Sequence, residues 1–330
     1  MNLKDDWRLV EEAVKTHNKF VLTTHINPDG DGIGSELALY YYLKKMGKDA
    51  CIINTSPTPA IYEFLDPDHT RISVFSDTDV DHINAAEVIF VLDISTMERL
   101  GRMSTIVKES KSLKICIDHH FTNHGLSDIN VIHETACATA ELIYDYLRKT
   151  EKGILEYPIA EALYVGMLTD TGSFRFSNST PRSHIIAAEL LECGIKPRDI
   201  FVKVYEMNPW EKVQLFGNVL TRLRLDETKK IVYTIIPQTL MKSSGAKQED
   251  IEGFVEYLNT INGVEMALLF LELPGGKIKT SLRSKGYQDI NQVAEQFKGG
   301  GHQHAAGILF SDTTMEDAVT KVVSACKKLL

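Results

Sequence analysis

The sequence predicts an α/β protein: a larger N-terminal domain built on a parallel sheet, followed by a smaller α+β domain. Three observations predict it. Apolar, β-branched runs alternate with helical patterns through roughly the first half of the chain. Those runs are apolar on both faces, as strands must be when helices cover both sides of a parallel sheet. Beyond residue 225 the alternation gives way to strands grouped around a hairpin.

Each element can be justified in order. The opening MNLKDDWRLVEEAVKTH lacks the apolar core of a signal peptide and reads as an amphipathic helix. FVLTTH (20–25) is the first strand, and SELALYYYLKKMG (35–47) a helix closed by a C-terminal glycine. DACIINT (49–55), EVIFVLDIS (87–95) and KICIDHH (114–120) are further strands. TACATAELIYDYLRKT (135–150), PIAEALYVGMLTD (158–170) and PRSHIIAAELLECG (181–194) are helices, the last two opening on proline at the first position. Residues 1–194 form the first domain, and 195–224 a helical connector broken at Pro197 and Pro209. The second domain, 225–330, has strands at 230–237, 263–274 and 276–286, the last two joined across Pro274-Gly275-Gly276. Its helices fall at 248–260, 289–298 and 314–329.

The 330 residues are 43% hydrophobic and 25% charged, an ordinary globular composition with room for two domains. A formal net charge of −9 argues against wrapping a long nucleic acid through non-specific phosphate contacts, yet leaves room for a small nucleotide in a locally basic pocket. The five cysteines form no CxxC pair and lie mostly among apolar residues, as buried reduced thiols of a cytoplasmic protein would. No apolar run is long enough to span a bilayer.

The polar residues stand where such strands end. In open parallel sheets, ligands bind beyond the carboxyl ends of the strands. Those ends carry His25 with Asp29 and Asp31, then Asp93, then Asp118-His119-His120. Asp170, where a helix runs into the turn TDTGSF, is a fourth contribution. A plain turn has no use for a histidine and two carboxylates in HINPDGDG, and like charges so close repel unless a cation lies between them. Taken singly, each residue has a bland reading: Asp29 as a turn residue, Asp31 as an acid at a helix N-terminus, Asp93 as a helix cap. Their convergence on one sheet edge points instead to metal. Carboxylates and imidazoles without thiolate suit Mg²⁺ or Mn²⁺, with the histidines favouring Mn²⁺ or a later transition metal. So many ligands oversupply one ion; two ions about 3.5–4 Å apart, sharing a carboxylate, use them and set up phosphoryl hydrolysis.

The second domain supplies a basic face. Lys277, Lys279, Ser281, Arg283 and Lys285 alternate along one strand and share a side, while Ile278, Thr280 and Leu282 face the other way. A solvated edge would explain the lysines alone, but arginine and serine among them make an anion platform. KGGGHQHAAG (298–307) follows; three glycines that earn no packing would let main-chain N–H groups of Gly300 and Gly301 approach a phosphate beside His302. The active site is then expected in the cleft between the domains.

HINPDGDGIGS, VLDIS, IDHHFTN and TDTGSFRF resemble, in order, the four motifs of the DHH phosphoesterase superfamily. SLRSKG and GGGHQHAAG resemble its DHH-associated C-terminal substrate domain. The two-domain size is most similar to bacterial oligoribonucleases that also dephosphorylate 3′-phosphoadenosine 5′-phosphate. The resemblance implies a cytoplasmic enzyme with two Mn²⁺ ions, Mg²⁺ or Co²⁺ being substitutes, acting on short RNA or nucleotides. His25 and Asp29 would ligate one ion, Asp31, His119 and Asp170 the other, and Asp93 would bridge them. Asp118 would support the adjacent histidines, His120 would face the scissile phosphate, and Ser281, Arg283, Gly300, Gly301, His302 and Asn123 would hold the substrate. Gly32 departs from the family's frequent alanine and should loosen the turn. Dimerisation is a family option that no residue here specifies.

Other readings separate by sequence. A stand-alone cyclic di-adenylate phosphodiesterase shares both domains and is the runner-up. A single-strand DNA exonuclease would be longer and more basic, and a manganese pyrophosphatase would lack SLRS and GGGH. Polyphosphate hydrolysis ranks lower. A catalytically silent nucleotide-binding relative would be expected to have lost a ligand, and every motif position here is competent.

Overall fold

The computed structural model describes residues 3–94, 96–120, 127–150 and 155–330. The chain divides into two compact units, Met1–Met207 and Asn208–Leu330. In the first, six parallel strands run β1 (Lys19–Thr23), β2 (Asp49–Asn54), β3 (Ile72–Val74), β4 (Val88–Leu92), β5 (Leu113–Asp118) and β6 (Ile129–Ile132). Their order across the sheet is β3-β2-β1-β4-β5-β6. Strand order reverses between β1 and β4, which opens a crevice at their carboxyl ends.

The sheet is covered on both sides, as its doubly apolar strands require. Phe20 and Leu22 of β1 face α1 (Leu3–Thr16), α2 (Gly30–Lys45), α3 (Thr139–Thr150) and α4 (Tyr157–Asp170), in a core with Leu37, Ile143 and Leu163. Helix α5 (Pro181–Glu192) adds Ile186 and Leu190. Val21, Ile89 and Val91 pack the other way, against Ile83, Leu100 and Val107. The cysteines are all free, three of them buried.

Helix α2 starts five residues before the expected Ser35. Asp29 caps it, its Oδ1 accepting from the Asp31 and Gly32 N–H groups at 3.0 and 3.1 Å, so the glycine-rich stretch is the first helical turn and not a loop. The glycines serve close approach. A Cβ on Gly34 would stand 2.3 Å from the Ala162 carbonyl oxygen of α4, and one on Gly166 3.0 Å from Asp31 Oδ1. Gly32, expected to loosen this turn, faces Thr24, whose Oγ1 would lie 2.6 Å from an added Cβ.

The second unit is a mixed sheet in the order β11-β12-β10-β9-β8-β7. Its strands are β7 (Arg224–Leu225), β8 (Ile231–Ile236), β9 (Met266–Glu272), β10 (Ile278–Ser284), β11 (Gly300–His302) and β12 (Ala305–Phe310). The β9–β10 hairpin forms as expected, pairing Glu272 with Ile278. One face of the sheet, with Leu268, Leu282 and Ile308, packs on α7 (Met315–Lys327); the other, with Val232 and Leu269, packs on Leu215 of α6 (Trp210–Leu220). The helix expected over 248–260 is two short pieces, Gln248–Ile251 and Phe254–Leu258, parted at Gly253 with φ 91°.

Two of the three glycines 299–301, Gly299 and Gly301, do have a packing role, contrary to the expectation. Gly300 and Gly301 lie in strand β11, paired to β12. A Cβ at Gly299 would stand 2.2 Å from the Gly307 carbonyl oxygen, and one at Gly301 2.3 Å from that of Ala305. Gly300 alone faces open space.

Candidate metal centre

The crevice beyond β1, β4 and β5 gathers the acids and histidines. His25 lies two residues past β1, Asp93 directly follows β4, and Asp118 ends β5 with His119 and His120 behind it. Asp31 comes from the first turn of α2 and Asp170 from the last residue of α4, brought side by side by the glycine contacts. Among the described residues three groups of donor atoms result, each with all atoms within 4.8 Å of one another: His25, Asp29 and Asp93; Asp31, His119 and Asp170; Asp93, His119 and His120.

Asp93 joins them. Its Oδ2 is 3.6 Å from His25 Nε2, while its Oδ1 is 3.7 Å from His119 Nε2. His119 Nε2 also stands 3.7 Å from Asp170 Oδ2 and 3.9 Å from Asp31 Oδ2. The backbone at Asp93 is left-handed, with φ 54°, a strained conformation of the kind found where side chains must be aimed.

The surroundings hold these groups in place. Asp31, only 1% exposed, sits on the N-terminus of α3, accepting from the Thr139 N–H at 2.6 Å and the Ala140 N–H at 2.8 Å. Thr139 Oγ1 donates to Asp93 Oδ1 at 3.1 Å. Asn178 donates to Asp170 Oδ2 at 3.2 Å and to the Cys137 carbonyl at 2.8 Å. Asp118 Oδ1 lies 2.7 Å from His120 Nδ1 and accepts from the His120 N–H, whereas His119 Nδ1 faces the Ala136 carbonyl at 3.3 Å. His25 Nδ1 lies 2.9 Å from the Ile26 carbonyl and 3.1 Å from Arg99 Nη2.

The electrostatics fit a cation. Burial pushes the Asp31 carboxyl well up, with the charges of Asp93, Asp170 and Asp29 adding to it. Burial likewise raises Asp170 to about 7, against the pull of His119. Burial opposes the charge of Asp93 too, but its hydrogen bond to His25 and the nearby His120 and His119 hold it low. For His120, burial is outweighed by the Asp118 hydrogen bond and by Asp93, giving about 9. Crowded carboxylates pulled in opposite directions are short of positive charge, which divalent ions supply. Oxygen and imidazole donors without thiolate match hard-to-borderline ions.

The structure therefore brings together His25, Asp29, Asp31, Asp93, His119, His120 and Asp170, with Asp118 behind them. Thr139, Asn178 and Arg99 escaped the sequence. Thr139 was absorbed into a helix drawn from residue 135; asking which residue starts that helix would have singled it out, as the small polar residue that opens its first turn.

In the second unit, Ser281 and Arg283 are half-buried on the side of β10 opposite Ile278, Thr280 and Leu282, as the alternation requires. Arg283 already pairs with Glu256 at 2.5 Å, and Lys285 Nζ donates to the Ile261 carbonyl at 2.9 Å. Asn123 and the side chain of His302 lie outside the described residues.

A parallel sheet whose switch point carries these acids and histidines, followed by a mixed-sheet unit, is the architecture of a metal-dependent phosphoesterase. Residues 19–167 match the DHH family, N-terminal domain, and residues 228–329 match the DHHA1 domain. The chain belongs to the DHH family of phosphoesterases. It is 30% identical to the bifunctional oligoribonuclease and PAP phosphatase NrnA of Thermus thermophilus, over 98% of this chain and 94% of that one. It is 27% identical to the protein of the same name from Bacillus subtilis, over 96% and 97%. A crystal structure of an exopolyphosphatase-related protein from Bacteroides fragilis superposes with a TM-score of 0.93 at 30% identity, covering 98% of this chain and 96% of that one. Among the described residues, no helix is long and apolar enough to cross a membrane.

Proposed function

We propose that this hydrolase cleaves short oligoribonucleotides to mononucleotides and 3′-phosphoadenosine 5′-phosphate to AMP, using two Mn²⁺ ions. The observation that carries the metal site is Asp93, whose two oxygens face different ligand sets. His25 and Asp29 would hold one ion and Asp31, His119 and Asp170 the other, with Asp93 between them. When bound, such a pair activates water as the nucleophile and neutralises charge on the phosphate oxygens.

The chain's own residues do the rest. Helix α3 fixes Asp31 through two N–H groups, and Thr139 fixes Asp93, so the ligands are held before any ion arrives. His120, its ring held by Asp118 Oδ1 2.7 Å from Nδ1, would offer a hydrogen bond to the scissile phosphate. Ser281, Arg283, Gly300, Gly301 and His302 of the second unit would bind the substrate's other end, with Asn123 assisting. The substrate classes are supported by the names of the Thermus thermophilus and Bacillus subtilis relatives and by an acidic chain, net −9, ill-suited to long nucleic acid.

One side-by-side assay tests this. It compares a 5′-phosphorylated diribonucleotide, 3′-phosphoadenosine 5′-phosphate, cyclic di-adenylate and a long single strand, with Mn²⁺ and with chelator. Fast, chelator-sensitive turnover of the first two, with the others slow, is expected. Preference for the cyclic dinucleotide would replace the substrate assignment.

A further inference from the structure

Arg99 enters the metal cluster from outside every recognised motif. It lies in the turn Met97–Met103, which is docked on the His25 loop: the Ile26 N–H donates to the Arg99 carbonyl at 2.7 Å. Gly101, at φ 56°, sits so close that a Cβ would stand 2.8 Å from Ile26 Cγ2. The backbone here is therefore fixed, and the half-buried side chain is carried by a rigid support. Its Nη2 stands 3.1 Å from His25 Nδ1. The guanidinium thus lies beside His25, whose donor atoms cluster with those of Asp29 and Asp93.

Among the described residues it nevertheless has no carboxylate partner, although the cluster next to it is rich in them. Nor does His25 remain a partner once it serves as a ligand. An imidazole nitrogen carries either a proton or a lone pair. A neutral His25 that gives its Nε2 lone pair to a metal keeps its proton on Nδ1, and the Ile26 carbonyl, 2.9 Å away, is placed to accept it. Arg99 then faces an N–H and has nothing there to donate to. Its fork of five donors is left for an incoming anion, and phosphate geometry matches that fork.

We propose that Arg99 is the phosphate clamp of this site, its guanidinium binding a non-bridging oxygen of the scissile phosphate beside His120. This rests on the metal-site reading above and adds to it a substrate-touching residue from the segment that follows Asp93. Arginine is required, because a lysine at this place offers a single point of charge and not a fork.

The test compares the Mn²⁺-loaded wild type with Arg99→Lys and Arg99→Gln. Three readouts are taken: Mn²⁺ affinity by titration calorimetry, inorganic phosphate affinity of the loaded protein, and kcat/KM on 3′-phosphoadenosine 5′-phosphate. Expected are an unchanged Mn²⁺ affinity and Tm, a loss of phosphate affinity of about tenfold or more, and a fall in kcat/KM of about 10²–10³-fold in Arg99→Gln. Arg99→Lys should fall between. Phosphate affinity and turnover within twofold of wild type would overturn the clamp. So would an Mn²⁺ affinity that falls in step with activity, since Arg99 would then be a support for His25. If the wild type itself leaves this substrate intact, the substrate assignment fails, while the phosphate arm still decides the clamp.

Discussion

Thr139 shows how much of this site depends on residues that carry no charge. Its N–H binds one buried carboxylate, Asp31, and its hydroxyl another, Asp93, at 2.6 and 3.1 Å. Replacing it with valine keeps the shape and the backbone bond but removes the hydroxyl. Thr139→Val is expected to lower kcat about 10–100-fold with little change in Tm, as loss of a ligand's supporting partner does, while Thr139→Ser should restore most activity. Steady-state kinetics with a thermal melt decide it. The clustering of the acids and histidines was legible because several strand ends each delivered one of them. Thr139, Asn178 and Arg99 were not, since a threonine, an asparagine or an arginine fits many surroundings and only tertiary contact gives these three a task.

At the scale of elements, long periodic segments were legible and short ones were not. Strands β1, β2, β4 and β5 and helices α3 to α5 fall close to their expected places because burial on defined faces writes a pattern. Strands β3, β6 and β11 are three or four residues long, and β12 begins Ala-Ala-Gly, so no pattern accumulates. The glycine triplet misled because a sequence reports missing side chains without saying whether a ligand or a neighbouring strand needs the space. Gly299→Ala and Gly301→Ala are each expected to cost about 1–3 kcal/mol in urea unfolding, and Gly300→Ala almost nothing. Equal effects at all three positions would count against the packing explanation.

A second element-scale prediction concerns Asp66, 3% exposed, which closes the turn leading into β3. Burial opposes its charge, but the N–H groups of Ile72, Arg71 and Thr70 and the Arg71 guanidinium outweigh this and lower its pKa. A depressed carboxylate stabilises fully above its unfolded value of about 3.9 and loses that contribution as pH falls through the folded value. Asp66→Asn should therefore destabilise by about 1–3 kcal/mol at pH 7, and the gap to wild type should close below about pH 4. A gap independent of pH would show that shape and not charge is at work.

At the scale of the molecule, the two units carry different sets of polar side chains. The first gathers the acids and histidines, and the second presents Lys279, Ser281 and Arg283 along one strand. The order of the two family domains was legible in the order of their motifs, whereas the Arg283–Glu256 pair was not, since the two residues lie far apart in sequence. The central claim is that Asp93 joins two ion sites. The most direct measurement is the stoichiometry of Mn²⁺ binding by titration calorimetry, on wild type and Asp93→Asn. Two ions per wild-type chain, with weakened binding of both and no turnover in the variant, is the predicted result. A single ion per wild-type chain, or an Asp93→Asn variant that keeps two ions and full turnover, would contradict it.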